Sequence, residues 1–294
     1  MAERPHQPAS YLSGVLLVLL GTIAFSSAGL FVRVLGKDAA TTLFWRGLFT
    51  ALVIVLYVAW REGPRTIDAL RAMGGAGIAI AALSALSMGC FITSLQFTTV
   101  ANNSIIFGTS PFVTAALAWI MIREPPATST LAFSAIALGG AGVVVASSLQ
   151  LSVTGLVGDA LAVLMTLAFA AKTVLVRKHA AVSMVPSGAL GALMGSAGAA
   201  PFVTEWALSA GDVALFALFG FTQQGAGLIL TTIGIARLPS AHAALLMALD
   251  VPLSPTWVWL VVGERPAAMA LAGGAMVLAA VVGHIVVESR RRSR

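Results

Sequence analysis

GVLLVLLGTIAFSSAGLFVR, residues 14–33, and GDALAVLMTLAFAAKTVLVR, residues 158–177, lie on one another without a gap. Gly14 meets Gly158, Leu17 meets Leu161, and Leu20 meets Leu164. Ile23-Ala24-Phe25 falls on Leu167-Ala168-Phe169, and Leu30-Phe31-Val32-Arg33 on Val174-Leu175-Val176-Arg177. Further along, Ala101 and Asn102 align with Ala241 and His242, and Pro111 comes within one position of Pro252. Glu124 aligns with Glu264 and Pro126 with Pro266. Shared apolar residues alone would say little. The matched Gly, Arg, Pro and Glu punctuation points to a duplicated unit.

Each of these stretches is apolar for about 20 residues, enough for a helix to cross ~30 Å of hydrocarbon. Ten such runs follow one another: 12–34, 40–60, 73–97, 101–121, 130–148, 155–176, 187–205, 213–234, 240–262 and 268–288. The links carry breakers, as in Gly63-Pro64, Arg123-Glu124-Pro125-Pro126, Leu238-Pro239-Ser240 and Gly263-Glu264-Arg265-Pro266. None can fold as a soluble domain, so function must lie within the membrane. Five spans per copy force the second copy to enter from the opposite side. The expected fold is therefore an all-α membrane protein of ten transmembrane helices in two inverted five-helix repeats. Its expected divisions are an N-terminal tail (1–11), a first repeat (12–148), a second repeat (149–288) and a basic tail (289–294).

Composition agrees with the bilayer as solvent. Of 294 residues, 59% are hydrophobic and 10% charged, with a mean hydropathy of +0.96. A soluble domain carries roughly 25% charged residues. The net charge of +6 does not imply nucleic acid, because the basic residues sit singly at the ends of apolar runs. The exception is the tail Arg290, Arg291, Arg292 and Arg294, which suits anionic headgroups or a solvated end. With both termini cytoplasmic, inside segments hold twelve Lys and Arg residues and outside links three, Arg33, Lys37 and Arg265. That bias sets the orientation and favours an even number of spans. The expected place is a bacterial cytoplasmic membrane. The first run, about Tyr11 to Leu35, exceeds a signal-peptide h-region and matches an internal segment, so cleavage is not expected. The single cysteine, Cys90, excludes an internal disulfide and reads as a packing residue.

Two five-helix halves, each closing its fourth span with Pro then Glu (Pro111 to Glu124, Pro252 to Glu264), resemble the drug/metabolite transporter superfamily and its EamA-type domain over nearly the whole chain. The stretches Gly21–Arg33 and Thr98–Pro111 are similar to the YddG-type aromatic-amino-acid exporter branch. The resemblance implies a central cavity lined mainly by spans 3, 4, 8 and 9, with 1, 2, 6 and 7 around it and 5 and 10 peripheral. It also implies export of amino acids or similar metabolites.

Polar groups in hydrocarbon are costly, about 2.5–3.5 kcal/mol for a central charge on insertion scales, so each needs a partner or a wet cavity. In span 4, Asn102, Ile106, Thr109 and Ser110 recur on one side, and in span 9 His242, Leu246, Leu249 and Asp250 do the same. Asp250 can pair with a substrate ammonium or carry a coupling proton. A structural carboxyl, protonated or hydrogen-bonded, is the alternative. His242 suits a gate or an interfacial packing role. Span 3 supplies Ser84, Ser87, Phe91 and Ser94, and span 8 supplies Gln223, Gln224, Gly227 and Thr231. Glutamine amides can hold a carboxylate, and small or polar residues also serve close helix packing. Phe25 and Phe169 can wall a cavity or simply pack. Arg46 and Lys172 are explained by snorkelling, or, if inward, by a substrate carboxylate. Glu124 and Glu264 are expected to close turns or to pair with Arg123 and Arg265.

The expected function is thus secondary export of amino acids, aromatic or large neutral ones favoured, by alternating access. The partners would be a small-molecule solute and the lipid bilayer. No cofactor is expected, and no His, Cys or carboxylate cluster has metal-ligand spacing. Oligomeric state stays open. An intramembrane enzyme is disfavoured, because no Ser/His/Asp grouping, paired aspartates or HExxH occurs. A carrier of another small metabolite or drug with the same fold, and a membrane scaffold or receptor without flux, are the remaining alternatives. A phosphate-bearing solute would need several inward cations, and only Arg46 and Lys172 are available.

Overall fold

The computed structural model describes residues 8–97, 103, 106–146, 155–263 and 268–292. Every regular element among them is helical. In chain order these are α1 (Pro8–Ser26), α2 (Ala28–Leu35), α3 (Ala39–Glu62), α4 (Thr66–Ala72), α5 (Gly74–Phe97), α6 (Ser110–Ile122), α7 (Thr128–Ala146), α8 (Gly155–Lys178) and α9 (Val185–Ala199). There follow α10 (Ala210–Leu218), a π-helical segment (Phe219–Ala226), α11 (Gly227–Ile235), α12 (Ser240–Met247), α13 (Asp250–Val262) and α14 (Ala268–Arg292). Seven of the described helical stretches are long and apolar enough to cross a bilayer. They coincide with expected spans 1, 2, 3, 6, 8, 9 and 10. Spans 4 and 7 meet the 13-residue α6 and the 15-residue α9, and span 5 meets α7. The division between repeats, at 148/149, falls outside the described residues.

Spans 1, 8 and 9 are interrupted for identifiable reasons. After α1, the Ser26 and Ser27 hydroxyls donate to the Ile23 and Ala24 carbonyls (2.7 Å each), competing with the backbone ladder at the α1/α2 junction. Between α12 and α13 the chain breaks at Ala248 and Leu249, just before Pro252, whose ring cannot sit inside a regular helix without kinking it. The π-helical segment in span 8 carries Gln223 and Gln224, and such single-turn insertions occur mostly at functional sites.

Helices pack in reciprocal pairs. α5 lies along α8, while α11 and the π segment lie along α1. α3 packs on α9, α7 on α14, and α6 on α12. α9 also touches α5, as the π segment touches α3. Lipid tails are as apolar as leucine, so association in a bilayer depends on close van der Waals approach, which small residues allow. At Gly220 a Cβ would come within 2.6 Å of the Phe49 Cβ and 2.9 Å of the Arg46 carbonyl oxygen. Gly140 would meet the Gly273 carbonyl at 2.7 Å, drawing α7 onto α14.

The two ends of the bundle differ. One carries Arg61, Arg65, Arg71, Arg177 and Arg237, and we call it the arginine-rich end. At the other, Lys37 donates to Glu205 (2.6 Å) and lies 3.5 Å from Asp212, tying the α2–α3 link to the α9–α10 link. The Glu205 hydrogen bond, outweighing desolvation and helped by the Asp212 charge, raises the Lys37 ammonium above its ordinary range. Asp38 caps α3, accepting from the Thr41 N–H (3.0 Å) and the Thr204 hydroxyl (2.6 Å). Burial pushes its carboxyl up, but these donors outweigh it and hold it below the usual aspartate range. A lowered carboxyl stabilises the fold above its ordinary value and loses that contribution as pH falls through the folded value. Asp38→Ala is therefore expected to cost about 0.5–2 kcal/mol at neutral pH, the worth of an N-cap. In detergent thermal melts the difference between the variant and the parent protein should shrink as pH drops below the carboxylate range.

Candidate functional site

An aromatic cluster forms where the two halves of the chain meet. The rings of Phe107 and Phe169 meet edge to face with centroids 5.1 Å apart. The Phe25 ring lies against Gly227, whose missing side chain leaves room 3.0 Å from the ring. The Phe25 carbonyl accepts a hydrogen bond from Gln223 Nε2 (3.1 Å), so the π-helical segment is pinned to span 1. The Oε1 atoms of Gln223 and Gln224 are buried without a hydrogen-bond partner among the described residues. Leu246 closes the cluster and is 1% exposed. Trp257 Nε1 donates to Ser26 Oγ (2.8 Å), locking α13 to the α1/α2 junction.

Three ionisable side chains, of which Lys172 touches this cluster, lie in the spans without an ionic partner among the described residues. Lys172, one turn beyond Phe169, places Nζ 5.2 Å from that ring's centroid. Asp250 opens α13 directly after the break and is half-buried. Arg46 is 1% exposed, stands 5.0 Å from the Phe219 ring centroid, and leaves Nε and Nη1 without hydrogen-bond partners. Snorkelling is thus corrected for Arg46: its guanidinium is held inside the bundle by packing between α3 and the π segment. A buried, unpaired cation costs several kcal/mol even after relaxation, so its retention calls for a compensating role.

The other candidate residues are placed as follows. Ser87 Oγ donates to the Met165 carbonyl (3.2 Å), one turn before Phe169, so it ties α5 to α8. Phe91 is half-buried one turn further along α5, and Ile106 is half-buried beside Phe107. Asn102 lies outside the described residues. Its neighbour Asn103 is 3% exposed and hydrogen-bonds Ser94, a contact no spacing argument singled out. His242 does not join the aromatic cluster: its ring sits 4.5 Å from that of His284, centroid to centroid. Glu124 is also reassigned. It pairs with Arg177 (3.5 Å), not Arg123, and accepts the Ser240 backbone N–H (2.9 Å). Arg177 in turn donates to the Ala236 carbonyl (3.1 Å), and Arg237 to Ser13 Oγ (2.9 Å).

The central cluster is therefore closed, and the arginine-rich end is fastened across the two halves through Glu124. A cavity of about 170 Å³ lies at that end, lined by Glu124, Pro125, Pro126, Pro239, His242 and Glu288 among others. Glu124→Ala should release the fastening. Hydrogen bonds to a charged group are worth about 1.5–3 kcal/mol, so labelling of a cysteine at Ala241 by a thiol reagent, in a Cys90→Ser background, is expected to speed up roughly tenfold.

Residues 12–146 match the model of the EamA-like transporter family. A solved structure described only as "Crystal structure of protein" superposes with a TM-score of 0.79 at 16% identity, covering 95% of this chain and 98% of that one. At that identity the likeness establishes the fold. Among solved structures 29 chains match, and no curated protein does. With the seven described helices that are long and apolar enough to cross a bilayer, these findings describe a multi-pass membrane protein whose first half is similar to a transporter family.

Proposed function

We propose that this chain, whose first half carries the EamA-like transporter match, is a secondary carrier exporting amino acids, with aromatic or large neutral ones favoured. It would be a carrier of the YddG type, without enzymatic chemistry, in a bacterial cytoplasmic membrane. The observation that carries this is the pairing of an aromatic cluster with two separate, oppositely charged side chains. Lys172 can hold a solute carboxylate and Asp250 its ammonium. Phe25, Phe107 and Phe169 can receive an apolar side chain once the helices part. The buried amide oxygens of Gln223 and Gln224 add acceptors for the ammonium.

The reciprocal packing supports ten spans in two inverted copies. Exchanging each span with its equivalent five places on maps the contact pattern onto itself: 3 on 6 becomes 8 on 1, and 2 on 7, 5 on 10 and 4 on 9 map to themselves. Such a pair of halves can rock about a shared centre. Glu124, bound to both Arg177 and the start of α12, would hold one end shut while the other opens.

The test is uptake by proteoliposomes of a labelled panel: phenylalanine, tyrosine, leucine, alanine, uridine, glucose and a sugar phosphate. Phenylalanine or leucine is expected to enter, with Asp250→Asn lowering its uptake. Entry of uridine or glucose alone would overturn the amino-acid assignment. Arg46 favours one second reading, since an additional unpaired cation suits a more anionic metabolite. Preference for the sugar phosphate would select it.

A further inference from the structure

Away from the aromatic centre, the arginine-rich end holds a second titratable cluster. His242 on α12 and His284 on α14 meet edge to face, with ring centroids 4.5 Å apart and planes at 83°. They are 4% and 1% exposed. Tyr11 approaches the His242 ring at 6.3 Å and Phe133 the His284 ring at 5.8 Å. Among the described residues, neither nitrogen of His284 has a hydrogen-bond partner. Glu288 lies one helical turn after His284 and is 8% exposed. His242, Glu288 and Glu124 all line the cavity of about 170 Å³.

Among the described residues, the titratable and charged groups nearest the pair come from α1, α14 and the link before α7. α1 offers Tyr11 and α14 offers Glu288. The link before α7 offers Glu124, itself held by Arg177 and the Ser240 N–H. Among the described residues, α7 sets Phe133 against His284 and carries the buried hydroxyls of Thr130 and Ser134, and α6 lines the cavity with Ala115 and Ala118. Arg291 reaches outward to Ser129 (3.4 Å).

Burying an imidazole with unsatisfied nitrogens costs about 1–3 kcal/mol, so phenylalanine would fill the place of His284 more cheaply. What histidine adds is a charge that changes near neutral pH. Two imidazoles this close disfavour a second proton and must titrate as a coupled pair. Glu288 and Glu124 make the cavity unsuitable for a carboxylate but suitable for passing a proton inward. Among the described residues no third ligand joins the two histidines in a set that could hold a metal ion.

We propose that the His242–His284 pair is the coupling-proton site of this carrier, loaded through the cavity at the arginine-rich end. α12 runs from His242 straight into the break before Asp250, so a charge gained at His242 acts on the helix that bears the candidate solute group. The word coupling rests on the carrier function proposed above; proton binding by the pair does not.

Only four histidines occur in the chain, at positions 6, 179, 242 and 284, so each is resolvable by NMR of the full-length protein in nanodiscs with nitrogen-15 histidine. His242 and His284 are expected to take up protons in two separate macroscopic steps that belong to the pair. His284→Gln and the packing-conservative His284→Phe should each reduce His242 to a single step. Rings that stay neutral throughout, or that titrate independently, would overturn the proposal. In parallel, thiol labelling of Ala241→Cys in a Cys90→Ser background should rise on acidification, relative to an exposed control cysteine at Ser183. His284→Phe should abolish that rise, and pH-independent labelling of the parent protein would count against the site. In liposomes, phenylalanine accumulation driven by a pH gradient should vanish in His284→Phe while counterflow persists. Gradient-driven accumulation that survives in the variant refutes the coupling. A parent protein that carries no phenylalanine overturns the solute assignment, and the titration and labelling then decide the proton site on their own.

Discussion

Lys172→Gln is expected to lower phenylalanine counterflow in proteoliposomes by roughly 10- to 100-fold, without lowering the thermal stability of the folded protein. Both halves of this expectation follow from where the ammonium sits. Lys172 lies in α8 with Nζ over the Phe169 ring, 5.2 Å from its centroid, and forms no ion pair among the described residues. A charge in that setting is a cost to the fold, smaller than the about 2.5–3.5 kcal/mol of a span centre because Lys172 lies within two turns of the end of α8. A neutral side chain of similar length removes the cost. A hydrogen bond between that ammonium and a solute carboxylate is worth about 1.5–3 kcal/mol, and every 1.4 kcal/mol is tenfold in affinity. Activity and stability should therefore move in opposite directions, as at other sites that trade stability for function. Lys172→Arg, which keeps the charge, should retain most of the flux. Counterflow within threefold of the parent protein in Lys172→Gln would remove Lys172 from the solute path.

Gly220→Leu is expected to prevent assembly, with the protein lost to aggregates on size-exclusion chromatography in detergent. Gly220→Ala should fold with a stability lower by about 1–3 kcal/mol, the usual cost of overpacking. The reason is that no flexible group stands in the way. The added Cβ would lie 2.6 Å from the Phe49 Cβ, 2.9 Å from the Arg46 carbonyl and 3.0 Å from the Thr50 nitrogen. These atoms belong to, or are fixed by, the α3 backbone, so α3 and the π segment would have to separate. The Thr50 hydroxyl would lose its contact with the Gly220 carbonyl (3.3 Å) and keep only the Arg46 carbonyl on its own helix (2.9 Å). Gly89 on α5 is the control: a Cβ there meets nothing within 4 Å. Gly89→Ala should be neutral, or more stable by about 0.5–1 kcal/mol. Equal melting of Gly220→Ala and Gly89→Ala would show that the close approach of α3 to span 8 contributes nothing.

Several features were legible in the residues because they depend on local chemistry. Apolar run length marks a crossing helix, since every backbone polar group in hydrocarbon must be satisfied within the helix itself. The expected run at 155–176 thus meets a helix at Gly155–Lys178, and the run at 40–60 meets Ala39–Glu62. Breakers at Gly63-Pro64 and Pro239 likewise ended helices where expected. The alignment of Phe25 with Phe169 placed two aromatic residues at equivalent positions, and both join the central cluster.

Other features escaped that logic because they depend on partners distant in sequence. Arg123 stands next to Glu124 in the chain, but its backbone is left-handed (φ 57°) at the end of α6. Glu124 instead meets Arg177, 53 residues away. Arg46 looks like a snorkelling residue from its distance to the end of its span, yet α3 turns it toward Phe219. His242 and His284 are 42 residues apart on different spans, and no periodicity within either helix announces their contact.

The sequence by itself determined that the chain is helical and oily, where the longest uninterrupted helices run, and which links gather the arginines. Those are properties of a residue and its near neighbours in the solvent the bilayer imposes. Only the tertiary structure decided which charges meet, which remain unpaired, and that the two histidines share one buried place. Such pairings depend on the rotation of each helix about its axis and on its packed neighbour, and an apolar run of either face composition would cross the membrane equally well.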